Sequence, residues 1–394
     1  MIEVKLIRTN PELVRENLRR RNNPEVLRLL DEFIELDERW RRAQTRINDL
    51  RRERNEISLK IAQMKKEDRN ITEELRKADQ IQGEVARLKV EVDEYRERSM
   101  AVLMRIPNLL HESVVYGKDE TENVEIRRWG SPPMFDFPPK NHLEVALNLG
   151  LIDEERASKV AGTGFYYLRE ELALLDLAIQ RYAIDFLRGR GFIVIEPPFM
   201  LRRKPYEGVT ALSDFETVMY KIEDEDLYLI ATSEHPLAAM YMDETLNKDD
   251  LPLKLMGIST NFRKEIGAHG KYTKGLFRVH QFNKVEQFIF CLPEQSWALH
   301  EELQWNCEQL YQKLGLSYRV VDVCTGDIGT VAAKKYDTEV WMVDGQFREI
   351  GSNSNCTDYQ ARRLNIKFRE GLGKPPKGFV HTLNNTALAT SRTM

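Results

Sequence analysis

Residues 262–288, FRKEIGAHGKYTKGLFRVHQFNKVEQF, hold cations, carboxylates and aromatic rings at spacings that chemistry can use. Arg263 and Glu265 stand two apart, before a bend that contains glycines. After the bend Arg278, His280, Phe282, Lys284 and Glu286 share one parity, and Phe277, Val279, Gln281, Asn283 and Val285 the other. Side chains alternate across a strand, so a strand from Phe277 onward is expected to carry one largely apolar face and one polar face. The polar face would present cations, a ring and a carboxylate. A solvated hairpin with an Arg263–Glu265 ion pair is the plain reading. A surface for something both anionic and planar is the functional one.

The elements that must hold such a hairpin follow from the rest of the chain. At 394 residues it is long enough for two or three domains. A formal charge of −4 and a pI near 6.1 argue against a uniformly basic nucleic-acid coat, yet leave room for a local basic patch. The start, MIEVKLIRTNPELV, lacks a basic stretch followed by an apolar core, and no apolar run approaches membrane-spanning length. Cys291, Cys307, Cys324 and Cys356 are far apart, with no C-x-x-C pair, and read as reduced thiols of a cytoplasmic protein.

The first part reads as a small cap and a long helical hairpin. Thr9 or Asn10 offers an N-cap, with Pro11 at the first helical position. Phe33, Leu36, Trp40, Ala43, Ile47, Leu50, Ile57, Ile61 and Met64 then form an apolar ladder in steps of three and four, broken by Arg54. KKEDRN (65–70) interrupts it, and Ile71, Leu75, Ala78, Ile81, Val85, Leu88, Val92 and Tyr95 form a second ladder. Together they predict an antiparallel coiled coil spanning about 27–104. An arm of about 38 residues is roughly 55–60 Å long and is expected to project. RWRRAQTRINDLRRER (39–54) holds seven arginines against two acidic residues. That suits a solvated exterior, and equally a phosphate backbone.

The stretch 105–133 is rich in proline, glycine and acidic residues, and the domain boundary is placed there, with 1–110 as one domain and 111–394 as the other. Beyond it, residues 166–192 predict an amphipathic helix, which feeds a strand in IVIEPPFM. Further strands are expected in DLYLIATSEHPL, LPLKLMGISTNF, GLFRVHQFNKVEQFIF, YRVVDVC and EVWMVDGQFREIGSNS, with a helix in PEQSWALHEELQWNCEQLYQKLG. Hairpin-linked strands predict an antiparallel sheet flanked by helices, an α+β domain. No G-x-G-x-x-G and no Walker A loop is found.

In sequence the chain resembles class II aminoacyl-tRNA synthetases, and within them the seryl-tRNA synthetases, with wording closest to archaeal members. RGRGFIVIEPPFM (188–200) matches motif 1, STNFRKEIGAHGKYTKGLFRVHQFNKVE (259–286) motif 2 and HTLNNTALATSRT (381–393) motif 3. The resemblance covers nearly the whole chain, with the helical hairpin matching the family's tRNA-binding arm. It implies ATP-dependent charging of tRNA(Ser) with L-serine through a seryl-adenylate, by a homodimer built on motif 1, with tRNA(Sec) left open as a second substrate. Arg39, Arg42 and Arg46 are taken as tRNA contacts.

The resemblance also implies roles for single residues. Arg263 holds the α-phosphate and the attacking carboxylate, and Arg263 and Arg392 form the catalytic pair. Glu265 meets the adenine amino group, Phe282 stacks on the ring, Val279 lies beside the nucleotide and Arg278 reaches the γ-phosphate. Arg392 covers the adenine. Glu349 and Ser352 match the magnesium ligands. Thr232 and Glu234 of ATSEHP receive the serine ammonium group. The sequence reads Ala-Thr-Ser-Glu where many members have Pro-Thr-Ala-Glu, and the differences fall outside the contacting positions. Glu286 and Thr386 bracket the serine hydroxyl, and Asn384 helps hold the amino acid. No cysteine lies near ATSEHP, so no zinc is assigned. His280, His381 and the stretch 324–341 are taken as structural. Two rivals are a carrier-protein ligase with the same core, which would lack the arm, and a scaffold on a dead enzyme, which would lack the charged positions. Family members continue beyond motif 3, so the catalytic domain is expected to be incomplete after Met394, where a helix over Ala387–Met394 is marginal alone.

Overall fold

The computed structural model describes residues 1–211, 213, 217–265 and 275–394. The glycine-containing bend of the hairpin, 266–274, lies outside them. The chain divides into two compact units, one of Ile2–Arg19 with Asn23–Ile106, the other of Met1, Arg20–Asn22 and Pro107–Met394.

The smaller unit is helical. α1 (Val4–Thr9) leads to α2 (Pro11–Arg19), whose start is capped by the Asn10 side chain accepting from the Leu13 amide at 3.3 Å. α3 (Pro24–Lys66) and α4 (Thr72–Leu103) form the antiparallel pair, with Ala43, Ile47, Leu50, Val85 and Val92 buried along the seam. The second ladder differs from expectation at its start. Leu75 is 47 % exposed, and Glu74 is buried with the Lys60 ammonium 2.8 Å from its carboxylate. Strict alternation of three and four counted back from Ala78 reaches position 74, so the seam takes the residue in register rather than the apolar neighbour.

The larger unit is built on a sheet that, among the described residues, has eight strands. In chain order these are β1 (Val124–Trp129), β2 (Ile193–Ile195), β3 (Leu253–Phe262), β4 (Gln281–Cys291), β5 (Tyr318–Asp322), β6 (Lys334–Trp341), β7 (Phe347–Asn355) and β8 (His381–Ala389). Their spatial order is β1-β5-β6-β7-β8-β4-β3-β2, antiparallel throughout except for the parallel edge pair β2–β3. α5 (Glu170–Arg188) and α6 (Ser296–Lys313) cover one face. Ile179, Ala183 and Leu187 of α5 and Leu299, Leu303 and Leu310 of α6 meet Val285 and Ile289 of β4 and Leu383 of β8. Full burial of the leucine, isoleucine and valine side chains among them stabilises by about 1.5–3 kcal/mol each. The alternate residues of β4 face the other way, Phe288 and Phe290 into a second core and Lys284 and Glu286 into a cleft.

Three expectations are corrected. The second arm of the hairpin becomes a strand only at Gln281, and 275–280 is turn and loop. ATSEHPL is not strand, because a helix starts at Glu234 and runs to Ala239. β8 runs through Ala389, leaving only Thr390–Thr393 helical. All four cysteines are free and buried.

Candidate active site

A cleft of about 210 Å³ opens on the face of the sheet away from α5 and α6. β4, β7 and β8 supply its floor, and Gly257 of β3 is paired opposite Glu286. A Cβ at Gly257 would come within 2.8 Å of Ser233 and Leu237, so its absence lets the turn carrying Thr232 and Glu234 pack on the sheet. β8 brings Thr386 directly opposite Glu286.

One end of the cleft is small and polar. Lys284 is buried there, its ammonium 2.6 Å from Thr232 Oγ1 and paired with the Glu286 carboxylate. Thr386 Oγ1 donates to Glu286 Oε2 at 3.3 Å, and Gln360 Nε2 to Glu234 Oε1 at 3.0 Å. Asn384 turns its amide to Cys356 Sγ at 3.8 Å. Burial, and then the Glu286 charge, push the Glu234 carboxyl up to about 7, against the pull of Lys284, Gln360 and Arg263. Two acids and two hydroxyls around one ammonium make a cradle for a small zwitterion with a hydroxyl of its own.

The other end is cationic and aromatic. Arg263 donates from Nε to the Ala231 carbonyl at 3.1 Å, and its guanidinium lies 5.2 Å from the centre of the Phe282 ring. Burial, then the like charge of Arg392, hold its pKa below the ordinary arginine value. Glu265 turns to Arg278, Oε2 to Nε 3.5 Å, across the hairpin. Glu265 has φ +50°, a left-handed backbone that turns the chain at the end of the arm. Arg392 stacks on Phe277 at 4.9 Å and donates to the Phe277 and Glu349 carbonyls at 3.2 and 2.9 Å. Three guanidinium groups with two ring faces suit a polyphosphate joined to a flat heterocycle.

Between the two ends lie Glu349 and Ser352. Three apart, they would face opposite sides of a regular strand. A bulge in β7 pairs Thr338 with Gly351 but Glu339 with Glu349, leaving Ile350 extra and returning both polar groups to the cleft. Ser352 Oγ donates to Glu349 Oε1 at 3.3 Å. The walls of the cleft push the Glu349 carboxyl up, but Arg392, Lys335 and Arg263 outweigh that and hold it below its ordinary range.

All the candidate residues of the catalytic half, Thr232 through Arg392, line this one cleft, Val279 included. Lys284 and Phe277 line it too and carried no assigned role. The shared parity of Lys284 with Phe282 and Glu286 was the available signal for the first. Parity misplaced the second, because 277–280 is not strand. His280 bonds Tyr220 Oη at 2.7 Å and His381 bonds Ser296 Oγ at 2.9 Å. In the helical unit, Arg39, Arg42 and Arg46 lie along α3, and Glu38, Arg42, Arg46 and Asp49 are among the walls of a shallow polar groove of about 510 Å³. Arg39 and Arg42 pair with acids one turn earlier, Glu35 and Glu38, and Arg46 reaches Glu84 of α4 at 3.1 Å.

Residues 1–110 match the family described as the seryl-tRNA synthetase N-terminal domain, and 219–394 match the tRNA synthetase class II core domain (G, H, P, S and T). A serine–tRNA ligase of Methanoculleus marisnigri is 56 % identical over 393 residues, which is 100 % of this chain and 92 % of that protein. A solved seryl-tRNA synthetase of Pyrococcus horikoshii, complexed with ATP, matches with a TM-score of 0.96 and 48 % identity over 100 % of this chain and 92 % of that one. A cytoplasmic serine–tRNA ligase of Naegleria fowleri in complex with AMP matches at 0.90 and 35 %, with the same coverage.

Proposed function

The chain belongs to the seryl-tRNA synthetase family, and we propose that it charges tRNA(Ser) with L-serine, using ATP and passing through an enzyme-bound seryl-adenylate. The observation that carries this reading is the single cleft, with a polar cradle at one end, an arginine–aromatic surface at the other and a carboxylate–hydroxyl pair between them. The serine carboxylate attacks the α-phosphorus and pyrophosphate leaves, so charge builds on phosphoryl oxygens that fixed cations stabilise.

In this reading Arg263 bridges the serine carboxylate and the α-phosphate. To do so it swings off the Phe282 face, which then takes the adenine. Glu265 meets the adenine amino group, Val279 packs beside the nucleotide, and Arg278 takes the γ-phosphate. Arg392 leaves Phe277 to cover the base. Thr232 and Glu234 take the serine ammonium, and Asn384 supports the amino acid. Glu286 and Thr386 meet its hydroxyl. A substrate without that hydroxyl would leave buried polar groups unpaired, a strong ground for rejecting alanine. Lys284 then has to give up Thr232 while still balancing the Glu286 charge.

The donor set between the two ends fits magnesium. Glu349 Oε1 and Ser352 Oγ are 3.3 Å apart, near the roughly 3 Å edge between adjacent oxygens of an octahedral magnesium ion at about 2.1 Å. Two protein oxygens leave the remaining positions to phosphates and water. Bound there, the ion would neutralise phosphate charge as pyrophosphate departs.

The arm is proposed as the tRNA grip, with Arg39, Arg42 and Arg46 exchanging surface carboxylates for phosphates. Such exposed pairs are worth little and yield readily. A cytoplasmic homodimer completes the reading. Leu174 and Leu177 on α5 and Ile193 and Val194 on the edge strand β2 are 66, 61, 50 and 40 % exposed, an apolar face a second copy would cover. No helix among the described residues is long and apolar enough to cross a membrane.

The direct test omits tRNA. With ATP, Mg²⁺ and labelled serine, gel filtration is expected to recover labelled seryl-adenylate on the protein, which adding tRNA(Ser) discharges into seryl-tRNA. Serine that appears on tRNA with no adenylate formed beforehand would refute the two-step scheme. The same assay with tRNA(Sec) decides whether that tRNA is also a substrate.

A further inference from the structure

Behind the carboxylate–hydroxyl pair lies a second ion pair, which the substrate-binding roles do not use. Asp337 of β6 stands directly opposite Ser352 of β7, and Lys335 opposite Ser354. Residues paired this way share a face of the sheet, with Cβ atoms about 4.5–5.5 Å apart. Ser352 and Ser354 line the cleft, so Asp337 and Lys335 point to the same side. The Asp337 side chain is only 8 % exposed. One of its oxygens, Oδ2, holds Lys335 Nζ at 3.2 Å. The other, Oδ1, is buried without a hydrogen-bond partner among the described residues. A buried acceptor left unmade is costly and calls for an explanation.

The chemistry of Ser352 supplies one. A hydroxyl oxygen that gives a lone pair to a cation must turn its proton away, and that proton then needs an acceptor. In this structure it goes to Glu349 at 3.3 Å. Glu349 is itself expected to ligate the cation, which would withdraw that acceptor. Asp337 Oδ1 is buried, opposite Ser352 and without a hydrogen-bond partner among the described residues. Resting on the reading of Glu349 and Ser352 as the cation ligands, we propose that Asp337 is a positioning residue of the site. It accepts the Ser352 hydroxyl proton in a hydrogen bond when the Ser352 oxygen turns to the metal, and Lys335 tethers it for that task. Groups behind metal ligands act in this way by fixing ligand orientation and raising ligand basicity.

The test measures metal affinity rather than turnover. Mn²⁺ is titrated into the whole protein saturated with α,β-methylene-ATP, which cannot be cleaved at the α-phosphorus, and free Mn²⁺ is read by electron paramagnetic resonance. Glu349→Gln and Ser352→Ala are each expected to raise the Mn²⁺ Kd tenfold or more. Asp337→Asn, which keeps shape but loses the anionic acceptor, is expected to raise it about tenfold. In a Ser352→Ala background it should add less than a further twofold, because its partner is gone. A Kd unchanged by Asp337→Asn, or a penalty that multiplies with that of Ser352→Ala, would overturn the inference while leaving the ligand reading intact. Should Glu349→Gln and Ser352→Ala prove silent, the ligand reading itself falls, and the inference with it. Melting without ligand checks folding. If Asp337→Asn melts early, Lys335→Gln, which unties the same carboxylate, is expected to raise the Kd several-fold, again only while Ser352 is present.

Discussion

Glu234, proposed as a receiver of the serine ammonium, ties burial to recognition in a way that can be measured. Its carboxyl is raised to about 7 by burial and the neighbouring Glu286, so near neutral pH the unliganded protein holds much of it protonated. A substrate ammonium needs the carboxylate. As the pH falls below about 7 the competent fraction shrinks, and the KM for serine is expected to rise roughly tenfold per pH unit. The KM for ATP should stay flat over the same range, since the nucleotide contacts proposed above, Arg263, Arg278 and Arg392, are arginines. Pyrophosphate exchange measured at pH 6, 7 and 8 checks both. A serine KM independent of pH would mean that Glu234 does not receive the ammonium. Residue identities in this cleft were legible where a motif or a strand parity named them, as for Phe282 and Glu286. Lys284 stood in the same row, but its role depends on Thr232, 52 positions earlier, reaching its ammonium. That is a long-range contact which no local spacing encodes.

Helices and strands were legible to the extent that one periodicity ran through them. The paired helices α3 and α4 follow their ladders until Glu74, where register outranks hydrophobicity and Leu75 is left outside. Bulges were not legible. Without Ile350 as an extra residue, Glu349 and Ser352 would sit on opposite faces of β7, and only the antiparallel partner β6 reveals the irregularity. The arm's arginines were counted within 39–54, whereas several of their carboxylate partners, Glu35, Glu38 and Glu84 among them, lie outside that window. Those pairs are exposed and exchangeable, so the arm still has a distinct expected behaviour. Replacing Arg39, Arg42 and Arg46 together by glutamine should weaken tRNA(Ser) binding and flatten the slope of log K against log salt by about two to three. Serine-dependent pyrophosphate exchange should be unchanged. Filter binding across a salt series is the measurement, and an unaltered slope would make these arginines solvated surface only.

At the scale of the molecule, the fold class expected from hairpin-linked strands behind a coiled coil is the one found, and the family expected from the resemblance is the one whose N-terminal and core domains the chain matches. The exposed leucines of α5 and the open edge at β2 carry the remaining expectation, a second copy. Leu174→Glu with Leu177→Glu places charges on that face and is expected to shift the sedimentation mass at micromolar concentration from dimer to monomer. A double variant that sediments as the unaltered protein does would move the interface elsewhere. The central claim is narrower than assembly: this cleft activates serine. Pyrophosphate exchange into ATP, run with each of the twenty amino acids in turn, tests it most directly. Strong exchange with serine alone is the predicted result, and exchange dominated by glycine, alanine or threonine would contradict it.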